Sequence, residues 1–218
     1  MNKFFYLLVF LLCLFSVGIV KANTLTLLGK VIYLDPGHGG ADPGAIHGDI
    51  YEANINLNIC FTLQSVLEKE GAIVYLTRYG DYDLAVKNAL QRKRSDLSRR
   101  ANLINKSSAD LYISIHLNSD LSSTWKGAQV FYVDANEKNS SFAKILQKQL
   151  AKDLGTKREY KKIYDQYMYR RINVTGVLLE AGFLSNSNDR YNLQNKKYQL
   201  KLSNSIKTAI ITFLDTEK

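Results

Sequence analysis

Short apolar runs rich in β-branched and aromatic residues alternate along the chain with longer stretches whose apolar residues recur at helical spacing. The short runs predict strands at 30–34, 72–77, 109–115, 128–133 and 174–179. The longer stretches predict helices at 52–70, 92–106, 137–154 and 198–214. Alternating strands and helices indicate an α/β fold: a single domain with a largely parallel, mixed central sheet flanked by helices on both faces.

The first apolar run differs from the others because no charge interrupts it. Lys3 precedes residues 4–20, and the small residue Ala22 follows shortly after. This arrangement predicts an export signal over 1–22, with cleavage after Ala22. An uncleaved membrane anchor formed by residues 4–20 is the alternative, since the run is at the short end of the ~17–25 residues that span a bilayer.

Length and composition bound the rest of the chain. It has 218 residues, of which 46% are hydrophobic and 22% charged, typical of one globular domain. We therefore predict a short leader over 23–29 and one folded domain over 30–218. The net charge is +9 for the full chain and, without the two lysines of residues 1–22, 27 minus 20 or +7. This charge suits an anionic partner such as cell wall or a membrane surface, although solubility alone explains it equally well. Export argues against nucleic acid as the partner.

Four residues with catalytic or metal-binding side chains lie near predicted strand ends. His38 follows the first strand, His116 the third and Glu180 the last, and Glu52 begins the helix that follows the Gly-rich loop 37–50. Largely parallel α/β sheets bind their ligands beyond the carboxyl ends of the strands. We therefore expect the two histidines and two carboxylates to converge at one edge of the sheet.

Two histidines and one glutamate are a common protein ligand set for catalytic zinc. Three protein ligands leave one tetrahedral position for water, whose pKa zinc lowers to ~7. A second carboxylate that does not bind the metal can take a proton and deliver it to a leaving nitrogen. The four groups therefore predict metal-assisted amide hydrolysis.

Alternative roles remain open for several of these residues. His47 lies in the same Gly-rich loop and could replace or assist His38 as a metal ligand. Glu52 could simply favour the positive N-terminus of its helix. A single histidine at a strand end is usually an ordinary loop residue, so the hypothesis depends on the whole group. The long basic stretch 87–100, which runs into the charged helix at 92–106, could bind wall glycans or a partner, although a solvated helix face is the preferred interpretation.

Three separated motifs carry a family resemblance. They are DPGHGG at 35–40 followed by YE at 51–52, SIHLN at 114–118, and LEAGFLSN at 179–186. Over residues 30–215 the chain resembles the zinc-dependent N-acetylmuramoyl-L-alanine amidases with a type-3 catalytic domain. Further segments are similar to the subgroup of sporulation and germination amidases of endospore formers, at 31–35, 96–105, 111–118 and 125–129.

The resemblance implies a reaction and a set of site residues. The enzyme would hydrolyse the amide between the lactyl group of N-acetylmuramic acid and L-alanine of the stem peptide, in spore cortex. With a separate muramic acid deacetylase, this step would lead to muramic δ-lactam. His38, Glu52 and His116 match the family's zinc ligands and Glu180 its catalytic glutamate. Asn118 is a candidate for orienting the substrate.

The resemblance also implies partners and a location. The substrate would be a peptidoglycan glycan strand with its stem peptide, and a sporulation lipoprotein is a candidate partner. The enzyme would act in the cell wall or in the space between the membranes of the developing spore. Two other hypotheses stay open: a different zinc-dependent wall hydrolase, either a peptidase or a deacetylase, and a non-catalytic wall-binding module.

Overall fold

A computed structural model describes residues 25–217, which form alternating strands and helices. In chain order the elements are β1 (Val31–Pro36), β2 (Ile46–His47), β3 (Ile50–Tyr51), α1 (Glu52–Glu68), β4 (Ile73–Leu76), α2 (Arg92–Lys106), β5 (Leu111–Asn118), β6 (Gln129–Tyr132), α3 (Asn139–Leu154), β7 (Lys161–Lys162), a 3-10 turn (Tyr169–Arg171), β8 (Gly176–Phe183), α4 (Ser187–Gln194) and α5 (Lys196–Thr216). The predicted export signal, 1–22, lies outside the described residues. None of the helices within 25–217 has the length and apolar character that crossing a membrane requires.

Six strands form the central sheet in the order β4-β1-β5-β8-β6-β7. Strands β4, β1, β5 and β8 are parallel to one another, whereas β6 runs antiparallel to β8 and parallel to β7. The short strands β2 and β3 form a separate antiparallel hairpin within the Gly-rich loop. The predicted largely parallel, mixed sheet is therefore confirmed.

Alternation along the strands gives the sheet two different buried faces. One face packs against α1, α3 and α5 in a cluster that includes Leu34, Ile113 and Leu179. The opposite face packs against α2 and the 3-10 turn, and its buried residues include Tyr112 and Leu178. Helical elements thus cover both faces, as predicted.

The N-terminal part of the described chain is attached to this domain. Leu27, in the segment predicted as a short leader, is buried in the core. Its backbone amide donates to the carbonyl oxygen of Glu70 at 2.9 Å, and the Thr26 hydroxyl donates to the Glu70 carboxylate. Residues 25–29 therefore pack on the end of α1 and its following turn.

Two strands that position the site are longer than the sequence pattern predicted. Strand β5 continues through His116 to Asn118, and β8 continues through Glu180 to Phe183. These polar side chains end the apolar runs, but their backbones still pair across the sheet. His116 and Glu180 are therefore held inside strands rather than in the loops that follow them.

Gly176 on β8 leaves no room for a side chain, and this gives a test of the packing. A Cβ atom at this position would lie 2.1 Å from Tyr112 Cδ1 and 2.3 Å from the Tyr112 carbonyl oxygen. We expect Gly176→Ala to lower the free energy of unfolding by about 1–3 kcal/mol, the range for overpacked cores. Urea unfolding measures this. Gly80→Ala is the control, because its methyl would meet only the Tyr82 ring, at 3.2 Å; equal losses in both variants would contradict the prediction.

Candidate active site

The loop after β1 presents His38 in an unusual backbone conformation. His38 has a φ of 62°, and Gly39 and Gly40 follow with φ of 123° and 61°. Glycine adopts such left-handed geometry without strain, but here the histidine before the two glycines adopts it as well. Such a conformation costs ~1–3 kcal/mol in a residue other than glycine, so the surroundings must hold it in place.

Two fully buried arginines hold this loop by its carbonyl oxygens. Arg78 Nε donates to Pro36 O at 3.0 Å, and Arg78 Nη2 donates to Gly37 O at 2.9 Å. Arg100 donates to Pro36 O and to His38 O, both at 2.7 Å. The relative exposure of Arg78 is 0% and that of Arg100 is 1%. The two guanidinium groups therefore fix the backbone on both sides of Gly37.

Arg100 is itself held by two carboxylates beneath the site. Its Nη1 lies 3.0 Å from Asp35 Oδ1, and its Nε lies 3.0 Å from Asp96 Oδ2. The hydroxyls of Ser114 and Thr77 each donate to Asp35 at 2.6 Å. Burial alone would raise the pKa of Asp35, but Arg100 and the two hydroxyls hold it below its usual value.

Glu52, the first residue of α1, brings the two histidines together. Its Oε1 lies 3.2 Å from His38 Nε2 and 3.1 Å from His116 Nδ1. The same oxygen accepts from Leu117 N at 2.9 Å and from Asn56 Nδ2 at 3.2 Å. Burial alone would raise the pKa of Glu52, but His116 and His38 hold it well below its usual range. The carboxylate is therefore anionic and is shared by both rings.

This arrangement fits a metal ion. One ligand atom from each of His38, Glu52 and His116 can be chosen so that all three lie within 4.8 Å of one another. Tetrahedral zinc with bonds of 2.0–2.1 Å would separate its ligand atoms by ~3.3 Å, close to the two His–Glu distances. His38 Nδ1 lies 3.0 Å from Asp42 Oδ2, the usual outer partner of a metal-binding histidine. His47 lies exposed on β2 and is outside this group.

Two glycines give the three side chains room to meet. A Cβ atom on Gly37 would lie 2.2 Å from Cε1 of the His116 ring. A Cβ atom on Gly44 would lie 2.6 Å from Glu52 Oε2 and 2.7 Å from His38 Cδ2. Glycine is therefore needed at these two positions because the candidate ligands approach the backbone closely, in addition to the positions where the loop turns.

Glu180 lies beside this group on the neighbouring strand β8. It is the register partner of His116 on β5, so both side chains emerge on the same face of the sheet. Its Oε2 atom is buried and has no hydrogen-bond partner among the described residues. Burial, reinforced by the Glu52 carboxylate and opposed by the histidines, raises the pKa of Glu180 to about 7. Such a group can accept and return a proton near neutral pH.

A cavity of about 220 Å³ opens onto these residues. Its lining includes His38, His116, Tyr169 and Glu180. Asn118 does not line this cavity; its Oδ1 accepts from the backbone amide of Ser119. The structure thus brings four of the five sequence-predicted site residues together. The fifth, Asn118, lies at the end of β5, the strand that carries His116.

The family of the chain follows from comparison with known proteins. Residues 32–212 match the family Amidase_3, described as N-acetylmuramoyl-L-alanine amidase. The chain belongs to this family. It is accordingly an N-acetylmuramoyl-L-alanine amidase, which confirms the predicted enzyme class and the family resemblance.

Individual relatives agree with the family match. The germination-specific N-acetylmuramoyl-L-alanine amidase of Bacillus subtilis (strain 168) is 43% identical over 202 residues, 91% of this chain and 85% of that protein. The CwlD amidase from Clostridioides difficile, whose structure is a complex with the GerS lipoprotein, superposes with a TM-score of 0.81. That match has 35% identity and covers 86% of this chain and 99% of the chain in that structure.

A third relative is more distant but has the same architecture. The catalytic domain of the amidase CwlV from Bacillus (Paenibacillus) polymyxa var. colistinus superposes with a TM-score of 0.74 at 29% identity. The match covers 85% of this chain and 98% of that domain. The α/β fold of this amidase is therefore that of solved amidase catalytic domains.

Proposed function

We propose that this amidase is zinc-dependent and cuts the lactyl–L-alanine amide of spore-cortex peptidoglycan. Family membership establishes the class of enzyme. The observation that supports zinc dependence is that His38 Nε2 and His116 Nδ1 both approach a single oxygen of Glu52. Two imidazoles and one carboxylate are the ligand set of several catalytic zinc sites.

Each site residue then has a distinct task. His38, Glu52 and His116 would hold the ion, which when bound polarises the carbonyl and lowers the pKa of water. Glu180 Oε2, which has no hydrogen-bond partner within 25–217, takes the proton from the attacking water. The same oxygen returns that proton to the leaving nitrogen of L-alanine. The raised pKa of Glu180 suits both transfers.

Loss of metal is the expected result of His116→Ala. Removing one of three ligands leaves His38 and Glu52, too few to retain zinc through dialysis. The zinc content of the dialysed protein, measured by elemental analysis, should fall from about one ion per chain to near zero. His47→Ala is the control and should keep the wild-type zinc content, because His47 lies outside the group. Equal zinc contents in the two variants would show that the metal is bound elsewhere.

The spore role extends the proposal beyond the chemistry. The similar Bacillus subtilis enzyme is named germination-specific, which supports cortex as the substrate. The reaction would be the first step toward muramic δ-lactam and would be followed by a separate deacetylase. The Clostridioides difficile relative is in complex with a lipoprotein, which supports a sporulation lipoprotein as partner.

The proposed organisation of the chain fits this location. Residues 1–22 would be an export signal or, through 4–20, a membrane anchor. The catalytic domain over 30–218 would then act in the wall or between the membranes of the developing spore. Asn118 remains a proposed substrate contact, since its side-chain nitrogen has no hydrogen-bond partner among residues 25–217.

Mass spectrometry of digested cortex peptidoglycan tests the choice of bond. Zinc-loaded protein should produce glycan strands with free lactyl carboxyl groups and intact stem peptides that begin with L-alanine. Freed amino acids would indicate a peptidase, and freed acetate a deacetylase. Binding to the sacculus without any cleavage would support the non-catalytic module instead.

A further inference from the structure

Three side chains in register on neighbouring strands form a row across the site, and the last of them is hydrogen-bonded to Arg158. His116 on β5 is paired with Glu180 on β8, and Glu180 is paired with Gln129 on β6. Residues in register project to the same face of a sheet, with neighbouring strands ~4.8 Å apart. Arg158 Nε donates to Gln129 Oε1 at 2.7 Å. Arg158 is therefore bonded to the residue that pairs with Glu180 across the sheet, and this residue lies on the side of β8 away from the candidate metal ligands.

Two aromatic rings hold the same guanidinium. Arg158 Cζ lies 5.4 Å from the centroid of the Trp125 ring and 5.0 Å from that of Phe183. Phe183 is buried at the end of β8, whereas Trp125 is exposed. Both distances are within the range of cation–π contacts. The hydrogen bond and the two rings together fix the position of the guanidinium.

The loop that carries Trp125 is attached to the body of the domain. Asn186 Nδ2 donates to Ser123 O at 2.7 Å, and the amide of Gly127 donates to Asp189 Oδ2 at 2.8 Å. These bonds lie on either side of Trp125 along the chain. The aromatic wall of this position is therefore built into the fold.

The terminal nitrogens of Arg158 have no partner within residues 25–217. Neither Nη1 nor Nη2 donates a hydrogen bond there, and no carboxylate lies within ion-pair distance of the group. Arg78, by contrast, uses its nitrogens fully on backbone carbonyls. A guanidinium that is held in place but has two unpartnered terminal nitrogens is suited to bind both oxygens of an incoming carboxylate.

The spacing matches a particular carboxylate of the substrate. Two strand spacings put Gln129, whose side chain accepts the hydrogen bond from Arg158, ~10 Å along the row from His116. An extended peptide advances ~3.3–3.6 Å per residue, so the second stem-peptide residue lies ~7 Å beyond the scissile amide. In peptidoglycan that residue is glutamate, with a free carboxylate, or its amide, isoglutamine.

We propose that Arg158 binds the free carboxylate of the second stem-peptide residue and thereby selects the acidic peptide over its amidated form. The inference rests on the proposed placement of the scissile amide between the His38–Glu52–His116 group and Glu180. It makes Arg158 a specificity-determining residue. Gln129, Trp125 and Phe183 position its guanidinium.

A matched pair of substrates tests this proposal. Zinc-loaded wild-type enzyme is assayed on disaccharide tripeptides whose second residue is D-glutamate or D-isoglutamine, joined to the third residue through its γ-carboxyl, and kcat/KM is measured for each. A charge-assisted hydrogen-bond pair predicts a preference for the acidic form on the order of tenfold or more. Arg158→Met should lower kcat/KM for the acidic substrate by that factor and change the amidated one by less than about twofold.

Control variants separate recognition from folding. Arg99→Met removes the same charge from an exposed position on α2 and should keep the wild-type preference. Arg158→Lys keeps the charge without the planar fork, and should retain a reduced preference even if the methionine variant is poorly folded. Equal losses on both substrates in the Arg158 variants, or no loss on either, would overturn the proposal. Failure of wild type to cleave either substrate would instead contradict the proposed function.

Discussion

Glu180→Gln is expected to lower kcat for muropeptide hydrolysis by ~10²–10⁴-fold, the contribution of a positioned acid–base group. Glutamine keeps the shape of the side chain but cannot take a proton from water or return it to the leaving nitrogen. Zinc content and fold should be unchanged, since Glu180 is not one of the three converging residues. Chromatography of released peptides measures the rate, and elemental analysis measures the metal.

This variant also separates an enzyme from a binding module. A module that only binds wall has no need of an unpartnered acid beside a metal, so its affinity for sacculi would be unaffected. Glu137→Gln is the matched control, because Glu137 is exposed and remote from the site in sequence and sheet position. A Glu180→Gln enzyme that retains more than about a tenth of wild-type activity would contradict the assigned proton-transfer role.

Arg100→Met is expected to have the largest effect on stability. It leaves Asp35 and Asp96 buried without their counter-charge and removes donors from the carbonyls of Pro36 and His38. Breaking a buried ion pair by removing one partner costs ~3–5 kcal/mol. Urea unfolding of the metal-free protein at pH 7 measures the loss. Arg99→Met, its exposed neighbour, should change the free energy of unfolding by less than about 0.5 kcal/mol.

The stability loss should depend on pH in a defined direction. In the wild type burial alone would raise the pKa of Asp35, but Arg100 and then the hydroxyls of Ser114 and Thr77 hold it below its usual value. The stabilisation is present above the unfolded-state pKa of ~3.9 and is lost as pH falls through the folded value. Without Arg100, burial raises the pKa of Asp35, so the variant gains from protonation as pH falls. The difference between the two proteins should therefore narrow from pH 7 to pH 4, and a constant difference would contradict this account.

The candidate site could be predicted from sequence because its residues lie at one edge of a largely parallel sheet. The carboxyl ends of parallel strands lie at the same edge, so His38, His116 and Glu180 were expected to be neighbours. Their strand bounds were wrong because an apolar run ends where side chains turn to the site, whereas backbone pairing continues. The hydrophobic pattern along the chain indicates which side chains are buried, but it does not indicate how far the backbone hydrogen bonding between two strands continues.

The residues that support the site could not be predicted in the same way. The charge-rich sequence of α2 predicted a solvated face, but Arg100 is buried because it pairs with Asp35, far away in sequence. Arg158 follows no helical or strand pattern, and its importance depends on Gln129 and two aromatic rings from other segments. Such contacts depend on tertiary packing, which periodicity does not encode.

Metal dependence tests the central claim most directly. Purified protein is stripped of metal with a chelator, its residual metal is measured, and hydrolysis of peptidoglycan is followed during titration with zinc. The account predicts no release of stem peptides from the metal-free protein and full recovery at about one zinc per chain. Undiminished release of L-alanine-terminated peptides by protein shown to contain no metal would contradict it.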